Sequence, residues 1–345
     1  MSLEPFDRRP LFAGAGGLFV CTLGGHRLLR DRPADVEKLA SEIPVPPKVR
    51  AAENRGEAVL ASARATGDVR EYWIRAEPRR WDIVPNGRDA MMDERVPGKT
   101  KFTAYAYRAY SPNFAAPLGP AKIPGPLLEV ETGETLVVNF QNALGAPVTM
   151  HPHGVFYANE MDGAYKGRHT DPGGFVQKNQ TFRYVWEAHD GTEGAWLYHD
   201  HGPMDPVPVF KGLFGPLIVR SPGELRPARE FFLIMHAFTP LATGLDRPFS
   251  CINGRAYAGN TPTLRASVGE SVGWHVFALD NDFHTFHVHG HRWTDATDRV
   301  VDNQTLGPGD TLSFGFVEDN PGRWFYHCHV FSHLHEGMNG WYLVD

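Results

Sequence analysis

The segment Trp324-Phe-Tyr-His-Cys-His329 has a near copy in the first half of the chain, Trp196-Leu-Tyr-His-Asp-His201. A second pair of similar segments precedes them, His151-Pro-His-Gly154 in the first half and His287-Val-His-Gly290 in the second. A chain that repeats an ordered set of motifs repeats a structural unit. The sequence therefore predicts two copies of one domain.

The residues around these motifs are typical of β-strands. Runs such as Thr135-Leu-Val-Val-Asn-Phe140 and Ser271-Val-Gly-Trp-His-Val276 are rich in β-branched and aromatic residues, with Gly, Pro, Asn or Asp between runs. The 36 glycines and 28 prolines among 345 residues favour many short strands over long helices. We therefore predict an all-β fold of two sandwich or barrel domains, at 69–222 and 226–345.

Residues 1–68 form a predicted N-terminal extension without this β pattern. Arg8 and Arg9 precede a weakly apolar stretch that ends near Gly25, which resembles a twin-arginine export signal. The stretch is too short to span a bilayer as a helix. The sequence predicts export with a signal at 1–25, although a segment packed on the fold of a cytoplasmic protein would fit the same residues.

The net charge and the cysteines limit the classes of function that the chain can have. A net charge of −6 offers no basic stripe, which argues against a nucleic acid partner. Three cysteines cannot form a disulfide framework; Cys21 and Cys251 could form one bridge, whereas Cys328 lies between two histidines. Eight of the 17 histidines lie in the four motifs, and this clustering indicates metal binding.

Cys328 is predicted to bind a metal ion together with three other side chains. Alternate residues of a strand point to opposite faces, so the two histidines that flank Cys328 face one site and its thiolate faces another. The following loop supplies His333 and Met338, and His284 completes the set. Two imidazoles, a thiolate and a weak axial thioether are the ligands of a blue-copper site. A structural zinc would prefer more thiolates or closed tetrahedral spacing.

Four His-x-His pairs remain, two in each repeat. They are His151/His153, His199/His201, His287/His289 and His327/His329. Eight imidazoles exceed the needs of one metal ion and match three coppers held between two domains. Asp200 takes the place of Cys328 in the first repeat, and a carboxylate cannot form the covalent copper–thiolate bond. The sequence therefore predicts one blue copper per chain.

These motifs resemble those of the multicopper oxidases, specifically the bacterial two-domain, or small, laccases. The resemblance includes the segments His284–Trp293, Tyr326–His333 and Ile123–Val130 and covers about residues 69–345. It implies two cupredoxin-like Greek-key domains and four coppers per chain. It assigns His284, Cys328, His333 and Met338 to the type 1 copper, His151 and His287 to the type 2 copper, and His153, His199, His201, His289, His327 and His329 to the type 3 pair.

The resemblance also implies an acid and a tyrosine near the cluster, and Asp162, Tyr157 and Asp302 fall at matching offsets. Such groups can donate protons to water as it forms, although the spacing alone favours a turn aspartate and a packed tyrosine. His291 and His335 lie near the motifs and could support the ligands or line the substrate approach.

The family further implies a homotrimer with clusters at the subunit interfaces. Head-to-tail contacts between chains that close into a ring would produce such an assembly. The chain departs from the usual pattern in its long N-terminal extension and in an apparent insertion around Pro85–Pro112.

The sequence therefore predicts a laccase-like copper oxidoreductase. A small phenolic or aromatic reductant would give single electrons at the type 1 site, and dioxygen would be reduced to water at the cluster. One alternative is a metallo-oxidase of cuprous or ferrous ions, although the 8 methionines form no rich tract for cuprous ions. Another is a copper nitrite reductase, which needs a mononuclear type 2 site rather than doubled histidine pairs. A non-enzymatic copper electron carrier would need only the type 1 set.

Overall fold

The computed structural model describes residues 68–345 and, before them, a two-stranded hairpin of β1 (Cys21–Leu23) and β2 (His26–Leu28). The hairpin belongs to one compact unit, residues 1–31, and the residues from 32 onward form another. Apart from the hairpin and Asp68, the predicted export signal at 1–25 and the predicted extension at 1–68 lie outside the described residues.

Residues 69–220 form ten strands, most of them rich in β-branched and aromatic side chains that pack well on a pleated surface. They are β3 (Val69–Asp82), β4 (Arg88–Asp89), β5 (Glu94–Arg95), β6 (Lys101–Tyr110), β7 (Leu128–Glu131), β8 (Thr135–Asn142), β9 (His151–Pro152), β10 (Thr181–Glu187), β11 (Gly194–His199) and β12 (Phe214–Arg220). Two sheets have the strand orders β10-β8-β3-β6 and β7-β12-β11-β9, and β4 pairs with β5.

Residues 229–344 form the second set of strands. They are β13 (Arg229–Phe238), β14 (Phe249–Ile252), β15 (Leu264–Ala266), β16 (Ser271–Ala278), β17 (His284–Val288), β18 (Trp293–Thr294), β19 (Val300–Val301), β20 (Asn303–Leu306), β21 (Thr311–Val317), β22 (Gly322–Cys328) and β23 (Asn339–Val344). The main sheets have the orders β14-β13-β16-β21 and β15-β23-β22-β17-β20.

The helices among residues 68–345 are short. They are α1 (Pro240–Thr243), α2 (Phe331–His335) and three 3-10 turns at Pro112–Phe114, Asn159–Met161 and Val209–Lys211. None of the described helices has the length and apolar character needed to cross a bilayer.

The sheets of the two halves repeat one topology. β3 pairs in parallel with β8 as β13 pairs with β16, and β7 pairs in parallel with β12 as β15 pairs with β23. The predicted all-β fold with two related sandwiches is therefore confirmed. Because residues 32–345 form one compact unit, the domain limits 69–222 and 226–345 stay predictions.

An apolar core shared by the two halves joins them. Phe102 and Phe214 of the first half pack in one cluster with Phe238 and Phe249 of the second, and the ring centroids of Phe102 and Phe238 lie 4.9 Å apart. Cys251 lies in the same core as a free thiol, whereas Cys21 is outside the residues whose side chains the structure describes.

The segment Pro85–Pro112, where the chain departs from the family pattern, contains a sheet strand and a hairpin. Residues 101–110 form β6, which pairs with β3 along its whole length, so this part belongs to the first sheet. The β4–β5 hairpin lies against the second half, where the Ala90 N–H donates to the Ala258 carbonyl oxygen at 3.0 Å. Of this segment, only β6 therefore belongs to a main sheet.

Candidate metal centres

Cys328 lies at the end of β22 on the buried side of the second half. Buried and half-buried residues alternate along β17, so His284 shares the core face with Phe286, which pairs across the strands with Cys328. The Cys328 Sγ atom is 3.8 Å from Nδ1 of His284 and 3.7 Å from Nδ1 of His333 on α2. Met338 is buried beside them, and its carbonyl oxygen accepts the Cys328 N–H at 3.0 Å. The structure thus groups three predicted type 1 ligands, with Met338 adjoining.

The spacing of these ligand atoms fits one metal ion. A metal bonded at about 2.1 Å to nitrogen and about 2.3 Å to sulfur spans such separations at an angle of about 115°. Burial raises the pKa of Cys328, but hydrogen bonds with His284 and His333 and from the Thr285 N–H outweigh it and lower the pKa to about 6. A thiolate is therefore available at neutral pH, and a thiolate with two imidazoles suits copper.

A carboxylate that the sequence analysis missed occupies the outer edge of His284. Nε2 of His284 lies 3.2 Å from Oδ1 of Asp280, which also accepts the Asp282 N–H at 2.9 Å. Burial lowers the pKa of His284, but the hydrogen bonds with Asp280 and Cys328 outweigh it and raise the pKa to about 9. His284 is fully buried and the Asp280 side chain is 5% exposed, whereas His333 is only partly buried. His333 is therefore the imidazole of this site that reaches toward solvent.

A group of histidines lies on the opposite face of β17 and β22. His287 pairs directly with His327 across the strands, and the Nε2 atoms of His289 and His327 are 3.1 Å apart. His329 follows on the same side, with its ring centroid 5.5 Å from that of His327. His289 and His329 are exposed. Only the backbone of β22 separates this group from the thiolate site.

The first half carries the corresponding group. His151 of β9 pairs with His199 of β11, and Nε2 of His153 lies 3.0 Å from Nε2 of His199. The ring centroid of His201 is 5.3 Å from that of His151. All four rings are partly buried. The structure thus brings together the four histidines predicted to be cluster ligands of the first repeat.

Asp200 occupies in the first half the position that Cys328 has in the second. Its Oδ1 accepts the Thr149 N–H at 2.7 Å, as the Cys328 sulfur accepts the Thr285 N–H at 3.4 Å. Burial raises the pKa of Asp200 to about 8. Among residues 68–345, the groups of side chains close enough to hold a metal ion do not include Asp200.

Backbone carbonyl groups fix the orientation of several histidine rings. In four rings Nδ1 lies 2.6 to 2.8 Å from a carbonyl oxygen, which can only accept, so the proton is on Nδ1 and Nε2 keeps a lone pair. These pairs are His151 with Asp162, His199 with Asp200, His287 with Asp302 and His327 with Cys328. Burial lowers the pKa of His153 and His327 to about 4 and that of His199 to about 3, so these rings are neutral at pH 7, the state in which an imidazole can bind a metal ion.

Tyr157 and Asp162, which the family resemblance marks as proton donors, lie beside His151. Asp162 Oδ1 is 3.1 Å from His151 Nδ1, and the Tyr157 side chain is hydrogen-bonded to Asp162. Lys166, which the sequence analysis missed, lies 2.7 Å from Oδ2 of Asp162. The only feature of the sequence that points to this contact is the four-residue spacing of Asp162 and Lys166. Asp302 contacts the second group through its carbonyl oxygen, and its side chain is exposed.

The histidine groups of the two halves are separate within one chain. In the part of the chain that the structure describes, every set of three adjacent ligands belongs to a single half. Each half therefore presents its own set of imidazoles, and the second set is open to solvent at His289 and His329.

Comparison with known proteins agrees with this ligand chemistry. Family models described as multicopper oxidase match residues 119–224 and 235–345. A probable nitrite reductase-hydroxylamine oxidoreductase fusion protein of Kuenenia stuttgartiensis is 30% identical over 239 residues, which is 65% of this chain and 28% of that protein. Ferroxidase HEPHL1 of Mus musculus is 27% identical over 344 residues, which is 80% of this chain and 29% of that protein. The chain thus spans less than a third of the length of either relative.

A solved structure adds support for the fold. A crystal structure of a multicopper oxidase superposes with a TM-score of 0.64 at 24% identity, covering 80% of this chain and 89% of that one. A likeness at this level of identity shows the cupredoxin-like fold. With both halves matched by family models, and with a buried thiolate site beside paired histidines, the chain belongs to the multicopper oxidase family, whose two-domain form it fits.

Proposed function

We propose that the chain is a laccase-like oxidase with four coppers, which takes single electrons from a small phenolic or aromatic reductant. The observation that carries the proposal is the ligand arrangement, with a thiolate and two imidazoles on one face of β22 and histidine groups on the other. When bound, copper supplies one-electron chemistry at the thiolate site and the reduction of dioxygen to water at the cluster. His284, Cys328, His333 and Met338 would hold the type 1 copper, and the eight paired histidines would hold the other three.

The chain's own residues connect and shield these sites. Cys328 is bonded in sequence to His327 and His329, so the backbone gives a short covalent path between the two ligand sets. Asp280 closes the outer edge of His284, which leaves His333 as the ring that a reductant can approach. Asp162 places a carboxylate beside a cluster histidine, where it can hold a proton for the water that forms.

The surface beside the thiolate site favours an aromatic reductant. Phe283, next to His284, is 56% exposed and offers an apolar face on which an aromatic ring can pack. Asp280 is the carboxylate in contact with a ligand of this site, but its burial keeps it from binding a metal ion in solution. A ferroxidase is the second candidate, because a similar protein is named a ferroxidase and Asp282 is exposed in the same loop.

Oxygen consumption tests the proposed activity. The copper-loaded protein should consume dioxygen with a methoxyphenol, and Cys328→Ser, which leaves both histidine groups intact, should abolish this consumption. A much higher kcat/KM for ferrous ion than for the phenol would replace the laccase-type proposal with the ferroxidase. Reduction of nitrite in place of dioxygen would contradict both.

We propose that the chain assembles as a homotrimer with one cluster at each interface. His289 and His329 are exposed in the single chain, and each histidine group lies in one half. Head-to-tail contacts would bring the first group of one chain to the second group of its neighbour and close into a ring.

Complementation between inactive variants tests this assembly. Co-expressing His153→Ala and His327→Ala chains should restore part of the activity, because some interfaces then join two intact groups. Activity that stays absent in the mixed protein would contradict a cluster shared between chains.

We propose also that the protein is exported, which the pair Arg8 and Arg9 ahead of a weakly apolar stretch supports. Fractionation of cells that make the full chain should find it outside the cytoplasm, and the double variant R8K/R9K should remain inside. Equal location of both forms would contradict the proposal.

A further inference from the structure

A buried chain of hydrogen bonds lies directly behind the turn that carries His289. Nδ1 of His291 donates to the His289 carbonyl oxygen at 2.8 Å, and Nε2 of His291 lies 3.0 Å from Oε1 of Glu318. The Tyr342 hydroxyl donates to the other oxygen of Glu318. His291 is 6% exposed, Glu318 1% and Tyr342 0%. We call these three residues the brace.

We propose that the brace positions His289 for metal binding, with His291 as the residue that acts on it. Both ring nitrogens of His291 are in hydrogen bonds, so neither is free to bind a metal ion. His291 contacts His289 through the backbone carbonyl of His289, and this contact fixes the backbone position from which the His289 side chain extends. The inference rests on the proposed function, because it needs a cluster that His289 serves.

The rest of the turn is fixed around the brace. Glu318 Oε1 also accepts the N–H groups of Asp319 and Asn320, at 3.1 and 3.0 Å, so the carboxylate has one orientation. The Asn320 side chain donates to the Gly290 carbonyl at 3.1 Å. Gly290 has φ +74°, and a Cβ there would lie 2.7 Å from the Trp324 ring. The backbone around His289 is therefore held from both sides.

The first half forms the same turn without a brace. Gly154 has φ +72° and packs on Trp196 as Gly290 packs on Trp324. The residue that follows is Val155, which packs against the apolar core of that half. Burying an imidazole–carboxylate pair costs desolvation that a valine avoids. Since the fold forms this turn with valine, the turn alone does not require the brace.

The difference in exposure between His289 and its counterpart in the first half explains why only the second half has a brace. His289 is exposed on the open face of the second half, whereas His153, its counterpart, is partly buried among neighbouring rings. The His289 ring contacts the rings of His287, Phe325 and His327 but has solvent on its remaining side, so its position depends on its backbone until the site is complete. Groups that orient metal ligands in this way affect metal affinity or activity about 10–100-fold when they are removed.

The variant His291→Val tests the inference, because it gives the second turn the residue of the first. Copper-loaded H291V should keep the blue band and the potential of the thiolate site. It should lose type 3 absorbance and bound cluster copper, with kcat lowered about 10–100-fold and KM for the reductant little changed. Glu318→Gln should show the same effect more weakly, and it carries the test if H291V does not fold.

Val276→Ala, a truncation in the buried core of β16, serves as the control for lost stability. The proposed role of the brace is overturned if H291V and E318Q keep full type 3 absorbance. It is also overturned if these variants lose both copper signals in parallel, as expected for V276A. Failure of the proposed function would look different, because the unaltered protein would then itself lack the cluster copper.

Discussion

Replacing Asp280 with asparagine removes a buried negative charge from the outer edge of His284 while preserving the shape of the side chain. The remaining Oδ1 can still accept the His284 and Asp282 N–H groups, which lie 3.2 and 2.9 Å away in the native protein. A copper bound at Nδ1 of His284 would lie about 7 Å from the carboxylate, given a metal–nitrogen bond of about 2.1 Å. A unit charge at that distance is worth about 2.4 kcal/mol at an effective dielectric constant of about 20.

A negative charge favours the oxidised copper, so its removal should raise the type 1 reduction potential. The energy above corresponds to about 100 mV for one electron. Redox titration of the blue band of D280N against the unaltered protein measures this shift, and Asp282→Asn in the same exposed loop provides the control. A shift of D280N below about 30 mV, or an equal shift in D282N, would show that the buried charge of Asp280 does not set the potential of this site.

Further predictions concern the first half and the proton-bearing side chains. Asp200→Cys should give no second blue band, because Asp205 and Phe210 stand where His333 and Met338 follow Cys328; a doubled band per chain would contradict this. Gly154→Ala should lower the free energy of unfolding by about 3 kcal/mol, since the position has φ +72° and the new Cβ would lie 2.1 Å from the Trp196 ring. A loss below about 1 kcal/mol in a denaturant titration would contradict this prediction. Lys166→Met should lower kcat about tenfold without changing KM, because Asp162 loses the group that orients it. Lys178→Met on the surface should have no effect, and equal kcat values for the two variants would show that Lys166 does not orient Asp162.

The fold and the ligand arrangement followed from features that are local in sequence. Alternation along a strand predicts that Cys328 and its flanking histidines face opposite sides, and the register of β17 with β22 places them so. The repeated motifs predicted two related sandwiches because each motif lies at the same place in one topology.

The supporting residues could not be predicted from local patterns. Glu318 meets His291 only because β21 ends behind the turn that follows β17, and these strands are distant in sequence. Asp280 lies in a turn whose residues follow no period, so nothing in the sequence marks its contact with His284. The exposure of His289 depends on which surfaces the two halves cover, which a list of motifs does not contain.

The copper content of the purified assembly, counted per chain and combined with an EPR spectrum, tests the proposed four-copper arrangement most directly. We expect about four coppers per chain, with one type 1 and one type 2 signal and a pair that is EPR-silent. A single copper per chain with only the type 1 signal would contradict the cluster and reduce the protein to an electron carrier. Two coppers per chain, one type 1 and one type 2, would contradict it in favour of a nitrite-reductase-type site.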